Sequence, residues 1–183
     1  VVVLVGLPAR GKSYVARKIA RYLNWLGWTT RTFNVGAYRR ERLGAHHRES
    51  FFSPENPEGL QQREAMAAAA LKDLVSWMQV GGAVGIYDAT NTTRARRQRI
   101  RDELAKVGLQ PLFIESICED PQLVEANIRE TKLRSPDYAG VAETEAVADF
   151  SKRIAHYERA YEPLGPGESS YVKYIDVGRR IEV

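Results

Sequence analysis

Lys12, Ser13 and Asp88 are the residues whose types and settings best suit chemistry on phosphate. Lys12 and Ser13 close the segment Gly6-Leu7-Pro8-Ala9-Arg10-Gly11-Lys12-Ser13, which satisfies G-x-x-x-x-G-K-[ST] at every fixed position. The flanks agree with a phosphate-binding loop. The β-branched run Val1-Val2-Val3-Leu4-Val5 reads as a buried strand, and Tyr14 to Leu23 reads as a helix. In that order, backbone N–H groups can wrap a polyphosphate and the helix N-terminus adds a positive dipole end. Lys12 can reach the β- and γ-phosphates, and Ser13 can ligate magnesium. The ligand class is a nucleoside triphosphate with Mg2+. Asp88 ends the apolar run Ala83-Val84-Gly85-Ile86-Tyr87. A carboxylate there suits a second magnesium contact, or it can accept a proton from an attacking hydroxyl. Asp88 could instead cap a helix, but Thr92 or Thr93 can do that and leave it free for the metal.

Basic residues supply the second constellation. Arg39-Arg40 follow a candidate strand, where an acceptor would dock. They suit an anionic acceptor or an exposed helix, and composition leaves both open. Arg94, Arg96, Arg97, Arg99 and Arg101 are dense enough to suggest a nucleic-acid stripe. Helical spacing puts Arg94, Arg97 and Arg101 on one face and the other two elsewhere, and no aromatics interleave. A solvated helix face is expected for most of them, the first-turn arginines excepted. His46-His47 with Glu49 lack a third ligand at metal-site spacing and read as a solvated loop. Cys118, the single cysteine, is expected to be a buried inert thiol near the site. One cysteine cannot form an internal disulfide, which fits a reducing cytoplasmic setting.

These groups need a scaffold. Strands are expected at 1–5, 29–35, 83–87, 111–117 and 171–175. Helices are expected at 14–23, 61–78, 94–107, 121–132 and 143–161, with a polar irregular stretch from Gly36 to Gly59. Alternation of this kind implies an α/β, P-loop NTPase-like three-layer fold with a central, mostly parallel sheet. Ligands then bind beyond the carboxyl ends of the strands. The 183 residues suit a single domain spanning 1–183. The net charge of +4 is a mild excess that suits phosphate-rich small molecules better than nucleic acid. No apolar run approaches the roughly 18 residues of a membrane helix, so no membrane partner is expected.

The segments Gly6–Tyr14, Arg21-Tyr22-Leu23-Asn24-Trp25, Phe33-Asn34-Val35-Gly36, Tyr38-Arg39-Arg40-Glu41, Asp88-Ala89-Thr90-Asn91-Thr92-Thr93-Arg94, Phe113-Ile114-Glu115-Ser116, Ser135-Pro136-Asp137-Tyr138 and Asp176-Val177-Gly178 together resemble the 6-phosphofructo-2-kinase family, over essentially the whole chain. The resemblance implies phosphorylation of the 2-hydroxyl of fructose 6-phosphate by ATP, giving fructose 2,6-bisphosphate, a regulator of glycolysis. It implies ATP contacts at Gly6, Leu7, Pro8, Ala9, Arg10, Gly11, Lys12, Ser13 and Tyr14, and again at Asn127, Ile128, Arg129, Glu130, Thr131 and Lys132. Sugar-phosphate contacts are implied at Arg39, Arg63, Thr90, Arg96, Lys132, Arg153 and Tyr157, and active-site roles at Asp88 and Cys118. Lys12 and Lys132 are expected to stabilise the transferring group together with Mg2+. Ser13 stands where the family often has threonine, Glu64 where a basic residue is common, and Ser53 where arginine is usual. Many relatives carry a following bisphosphatase domain. No Arg-His-Gly occurs here, so the expectation is a kinase alone, with room left for a homodimer.

Overall fold

The computed structural model describes residues 1–168 and 170–183. Strand β1 (Val2–Val5) leads through the phosphate-loop segment into helix α1 (Lys12–Trp25). Strand β2 (Thr30–Asn34) runs directly into α2 (Val35–Leu43), and a 3₁₀ turn at Glu49–Phe52 precedes α3 (Pro57–Gln79). Then follow β3 (Val84–Asp88), α4 (Arg94–Ala105), β4 (Leu112–Ile117), α5 (Pro121–Asn127), α6 (Glu143–Glu158), β5 (Tyr171–Ile175) and β6 (Arg180–Glu182). The sheet order is β2-β3-β1-β4-β5-β6, with β1 to β5 parallel and only β6 antiparallel. The register pairs Asn34 with Asp88 and Val5 with Glu115, so the C-terminal ends of four strands form one edge. The chemistry-bearing residues gather at that edge.

Why the sheet forms follows from its strands. Val3, Leu4 and Val5 are fully buried, as a central parallel strand covered on both faces requires. On one face Val3, Val5, Phe33 and Phe113 pack against Leu74 of α3 and Ile100 and Leu104 of α4. On the other, Leu4 and Ile86 meet Ala16 of α1. A separate small core of Ala9, Ile128, Tyr138, Ala146, Phe150 and Ile154 ties α6 to the phosphate loop. These layers are the expected three-layer architecture.

The segment from Gly36 to Gly59 departs from the irregular reading, because α2 occupies its first part. Its start is stabilised by Asn34, whose Oδ1 accepts from the Ala37 N–H at 2.8 Å. The run Arg39-Arg40-Glu41-Arg42 gives no apolar stripe, so periodicity could not reveal this helix. The single helix expected over 121–132 is also corrected. After Asn127 the backbone widens into a π turn at Ile128–Lys132. The short strand β6, all three residues exposed, carries no pattern that sequence reading could use.

Two side chains are corrected as well. Arg94 is exposed although it lies in the first turn of α4, whereas Arg97 of the same turn is fully buried. Arg97 Nε and Nη2 donate to Glu168 at 2.6 and 2.7 Å, and its Nη1 to the Asn91 carbonyl at 3.0 Å. It shares the inward face of α4 with Ile100 and Leu104. His47 is not fully solvated, because its ring stacks on Phe51 at 4.2 Å between centroids.

Candidate active site

The phosphate loop is shaped by its glycines and pinned from three directions. Gly6 has φ 134°, and a Cβ there would sit 2.5 Å from the Ser116 carbonyl oxygen, so only glycine fits. Its N–H donates to the Thr90 carbonyl at 2.9 Å. Ser116 Oγ donates to the Arg10 carbonyl. Asn127 Nδ2 donates to the Ala9 carbonyl at 3.0 Å. Gly11, at φ 83°, precedes α1 without any side-chain cap, which leaves the helix start open to an anion.

Lys12 is 8% exposed, and its Nζ donates to the Leu7 carbonyl at 2.5 Å. Burial, then repulsion from Lys132, pushes its ammonium down to about 7, against the pull of Asp88. Lys132 is lowered too, by burial and then Arg153, with Asp88 again opposing. Asp88 is buried at the end of β3 and accepts from Asn34 Nδ2 at 2.5 Å. Lys12, Lys132, Asp88 and Arg153 are thus close enough to feel one another. The cationic excess among them is what a triphosphate and a second phosphate would neutralise.

Arginines from three elements gather at Phe51 and Phe52, with Arg96 of a fourth near Arg63. The Arg153 guanidinium of α6 lies 3.6 Å from the centre of the Phe52 ring, with Arg39 of α2 at 5.5 Å and Arg63 of α3 at 6.0 Å. Arg63 Nη1 also donates to the Phe51 carbonyl. Arg96 of α4 donates from Nε to Asn91 Oδ1 at 3.1 Å and from Nη1 to Glu64 at 2.9 Å. Tyr157, one turn after Arg153, has its ring 6.3 Å from that of Phe52. Burial lowers Arg63, and the charges of Tyr157 and Arg96 are among those acting on it. These groups form one basic patch lined by aromatic rings, the arginine hollow, while the Thr90 carbonyl meets the phosphate loop through the Gly6 N–H.

Not every residue named from sequence comes to this hollow. Within 127–132, Asn127 meets the phosphate loop and Lys132 faces Asp88 and Arg153. Ile128 is part of the small core, Arg129 pairs with Glu125 and Glu143, Thr131 Oγ1 donates to the Asn127 carbonyl, and Glu130 is exposed. Tyr14 is half exposed. Cys118 is buried, its Sγ 3.8 Å from the Asp120 carbonyl. It lines an open cleft of about 770 Å3 with Leu7 and Arg10. Two residues in the site carry roles that sequence reading left unassigned. Asn34 joins the start of α2 to Asp88, and Asp137 contacts three arginines. Both lay inside quoted motifs, but only spatial partners reveal what they do.

A family model described as 6-phosphofructo-2-kinase matches residues 1–183. The chain belongs to the 6-phosphofructo-2-kinase family. Members with curated sequences agree. The human 6-phosphofructo-2-kinase/fructose-2,6-bisphosphatase 3 is 47% identical over 188 residues, covering 100% of this chain and 36% of that protein. The chicken 6-phosphofructo-2-kinase/fructose-2,6-bisphosphatase is 48% identical over 183 residues, covering 98% and 39%. The chain therefore spans little more than a third of the length of these relatives. Among solved structures, Chaetomium thermophilum Kti12 in complex with ADP-AlF3 matches with TM-score 0.65 at 16% identity, over 95% of this chain and 87% of that one. Mycobacterium tuberculosis APS kinase CysC in complex with AMPPNP and APS matches with TM-score 0.59 at 15% identity, over 94% and 86%. These two bear out the P-loop kinase fold of a 6-phosphofructo-2-kinase family member.

Proposed function

We propose that this domain, spanning 1–183, transfers the γ-phosphoryl group of ATP to the 2-hydroxyl of fructose 6-phosphate, forming fructose 2,6-bisphosphate and ADP. The observation that carries this reading is the gathering of Arg39, Arg63 and Arg153 from three helices around Phe52, with Arg96 of a fourth near Arg63 and with Lys132 and Lys12 near Arg153. A neutral acceptor would not need four guanidiniums, whereas a phosphomonoester dianion does. Membership of the family and the open start of α1 support ATP as donor.

Phosphoryl transfer asks a protein mainly for alignment and charge neutralisation. The arginine hollow holds the 6-phosphate and so sets where the 2-hydroxyl lies. Lys12 and Lys132 counter the charge that spreads over the transferring group. Asp88 is assigned either to the metal or to the hydroxyl proton. For magnesium, the hydroxyl of Ser13 and the carboxylate of Asp88 are hard oxygen donors of the right kind, and the short bond from Asn34 keeps Asp88 oriented. Two protein ligands fit an ion that takes its remaining ligands from the substrate phosphates and water. Bound there, it would neutralise phosphate charge.

The arginine-rich helix supports a small-molecule acceptor over nucleic acid, because Arg97 is buried on Glu168 and both Arg96 and Arg99 pair with Glu64. Among the described residues no helix is long and apolar enough to cross a membrane. We place the activity in the cytoplasm, a setting the single cysteine suits. An acceptor screen with ATP and Mg2+ tests the proposal. Fructose 6-phosphate should be phosphorylated and free fructose should not. Equal turnover of free fructose, or transfer only to polynucleotide 5′ ends, would overturn it.

A further inference from the structure

Asp137 lies in the 3₁₀ turn Pro136–Tyr138 and is 6% exposed. A carboxylate so deeply buried is costly unless paired. Its Oδ2 accepts from Arg39 Nη2 at 2.5 Å and lies 3.8 Å from Arg40 Nη1 and 3.7 Å from Arg153 Nη1. Arg39, at 4% exposure, is as buried as Asp137. Burial alone would push the Asp137 carboxyl up. The Arg39 hydrogen bond and the charges of Arg39, Arg153 and Arg40 outweigh it and hold the group below the usual carboxylate range. Three cations drawn from α2 and α6 therefore share a single anion.

That sharing is incomplete in a telling way. Arg39 Nη1, Arg153 Nε and Asp137 Oδ1 are all buried with no hydrogen-bond partner. Two of these are donors on residues of the basic hollow. Buried donors without partners are rare, and here two of them sit on arginines that share the Asp137 carboxylate. Three guanidiniums against one carboxylate also leave two positive charges uncompensated, the charge of one phosphomonoester dianion.

We propose that Asp137 is a positioning residue of the acceptor site: its carboxylate holds Arg39, Arg40 and Arg153 together as one cradle whose remaining charge matches a sugar-borne phosphate dianion. The assignment rests on the acceptor reading above and names what assembles that pocket. Without Asp137 the arginines repel one another and swing apart, and the substrate has to gather them at its own expense. The phosphate loop is held by its own bonds to Thr90, Ser116 and Asn127, none of which involves this carboxylate.

The test measures binding of inorganic phosphate and of fructose 6-phosphate by calorimetry, with an unreactive ATP analogue and Mg2+ saturating the phosphate loop. Steady-state KM values are measured beside it. Asp137→Asn keeps shape and removes charge. It should weaken both anions about ten- to a hundredfold, the scale of a lost charge-assisted contact, while the KM for ATP stays within about twofold. Asp137→Glu keeps the charge but displaces it, and should fall between wild type and Asp137→Asn. Unchanged or tighter anion binding by Asp137→Asn would overturn the assignment, since the carboxylate would then be idle or competing with phosphate. Should Asp137→Asn not fold, Asp137→Ser is measured in its place, and unchanged or tighter anion binding there overturns the assignment equally. The underlying reading fails separately: if fructose 6-phosphate binds no tighter than inorganic phosphate while both depend on Asp137, the cradle stands and the sugar does not.

Discussion

The two halves of the site are built by opposite means. The donor half is eight consecutive residues, Gly6 to Ser13, shaped by backbone geometry and tied down through the carbonyls of Ala9, Arg10 and Thr90. The acceptor half draws Arg39, Arg63, Arg96, Arg153 and Tyr157 from four helices and joins them through side-chain charge and the rings of Phe51 and Phe52. A site made of backbone is rigid because the chain itself closes it. A site made of like charges needs counter-ions, and Asp137 and Glu64 supply them. Damage to one half should therefore leave the other half's ligand nearly unaffected.

Lys12→Met is the severest way to break that comparison. On the proposed reaction, removing this buried ammonium should lower turnover by about a hundred- to a thousandfold or more. Fructose 6-phosphate binding, read by calorimetry, should persist, and near-normal turnover would remove Lys12 from its role. Arg153→Ala comes next. It should raise the KM for the sugar phosphate about ten- to a hundredfold with the KM for ATP little changed, in steady-state assays that vary each substrate in turn. Equal rises in both constants would mean the halves are not separable.

Asn127→Ala sharpens the contrast from the other side. It removes the tether on the Ala9 carbonyl, a neutral hydrogen bond worth about 1 kcal/mol, so nucleotide affinity should fall about fivefold and acceptor affinity should not. The smallest effect is on stability. The Asp137 carboxyl is held below its ordinary 3.8, so its contribution is fully present above that pH and is lost as pH falls below it toward the folded-state value. Acid denaturation followed by circular dichroism should show wild type losing stability faster than Asp137→Asn below about pH 4. Parallel curves would mean the carboxylate gains nothing from its arginines.

How much of this was legible beforehand follows the same division. The phosphate loop, its strand and its helix could be read because motif and periodicity are local. The parallel sheet could be read because strands and helices alternate. Helix α2 was missed because its inward side is an arginine rather than an apolar stripe: Arg39 is buried because Asp137, ninety-eight residues later, receives it. The partner of Arg97 was illegible for a similar reason. The burial of Arg97 depends on Glu168, seventy-one residues away. The π turn after Asn127 had no local signal, since it changes the backbone hydrogen bonding without changing which residues are apolar.

The sequence by itself determined the nucleotide side of this protein. Eight contiguous residues between a buried strand and a helix suffice, because the backbone that binds phosphate is the same backbone that carries the motif. Only the tertiary structure decided the acceptor side. Which guanidiniums meet, which are spent on structural carboxylates such as Glu168, and which buried donors on Arg39 and Arg153 remain free all depend on partners dozens of residues apart. Coulomb attraction depends on separation in space, and separation along the chain does not give it.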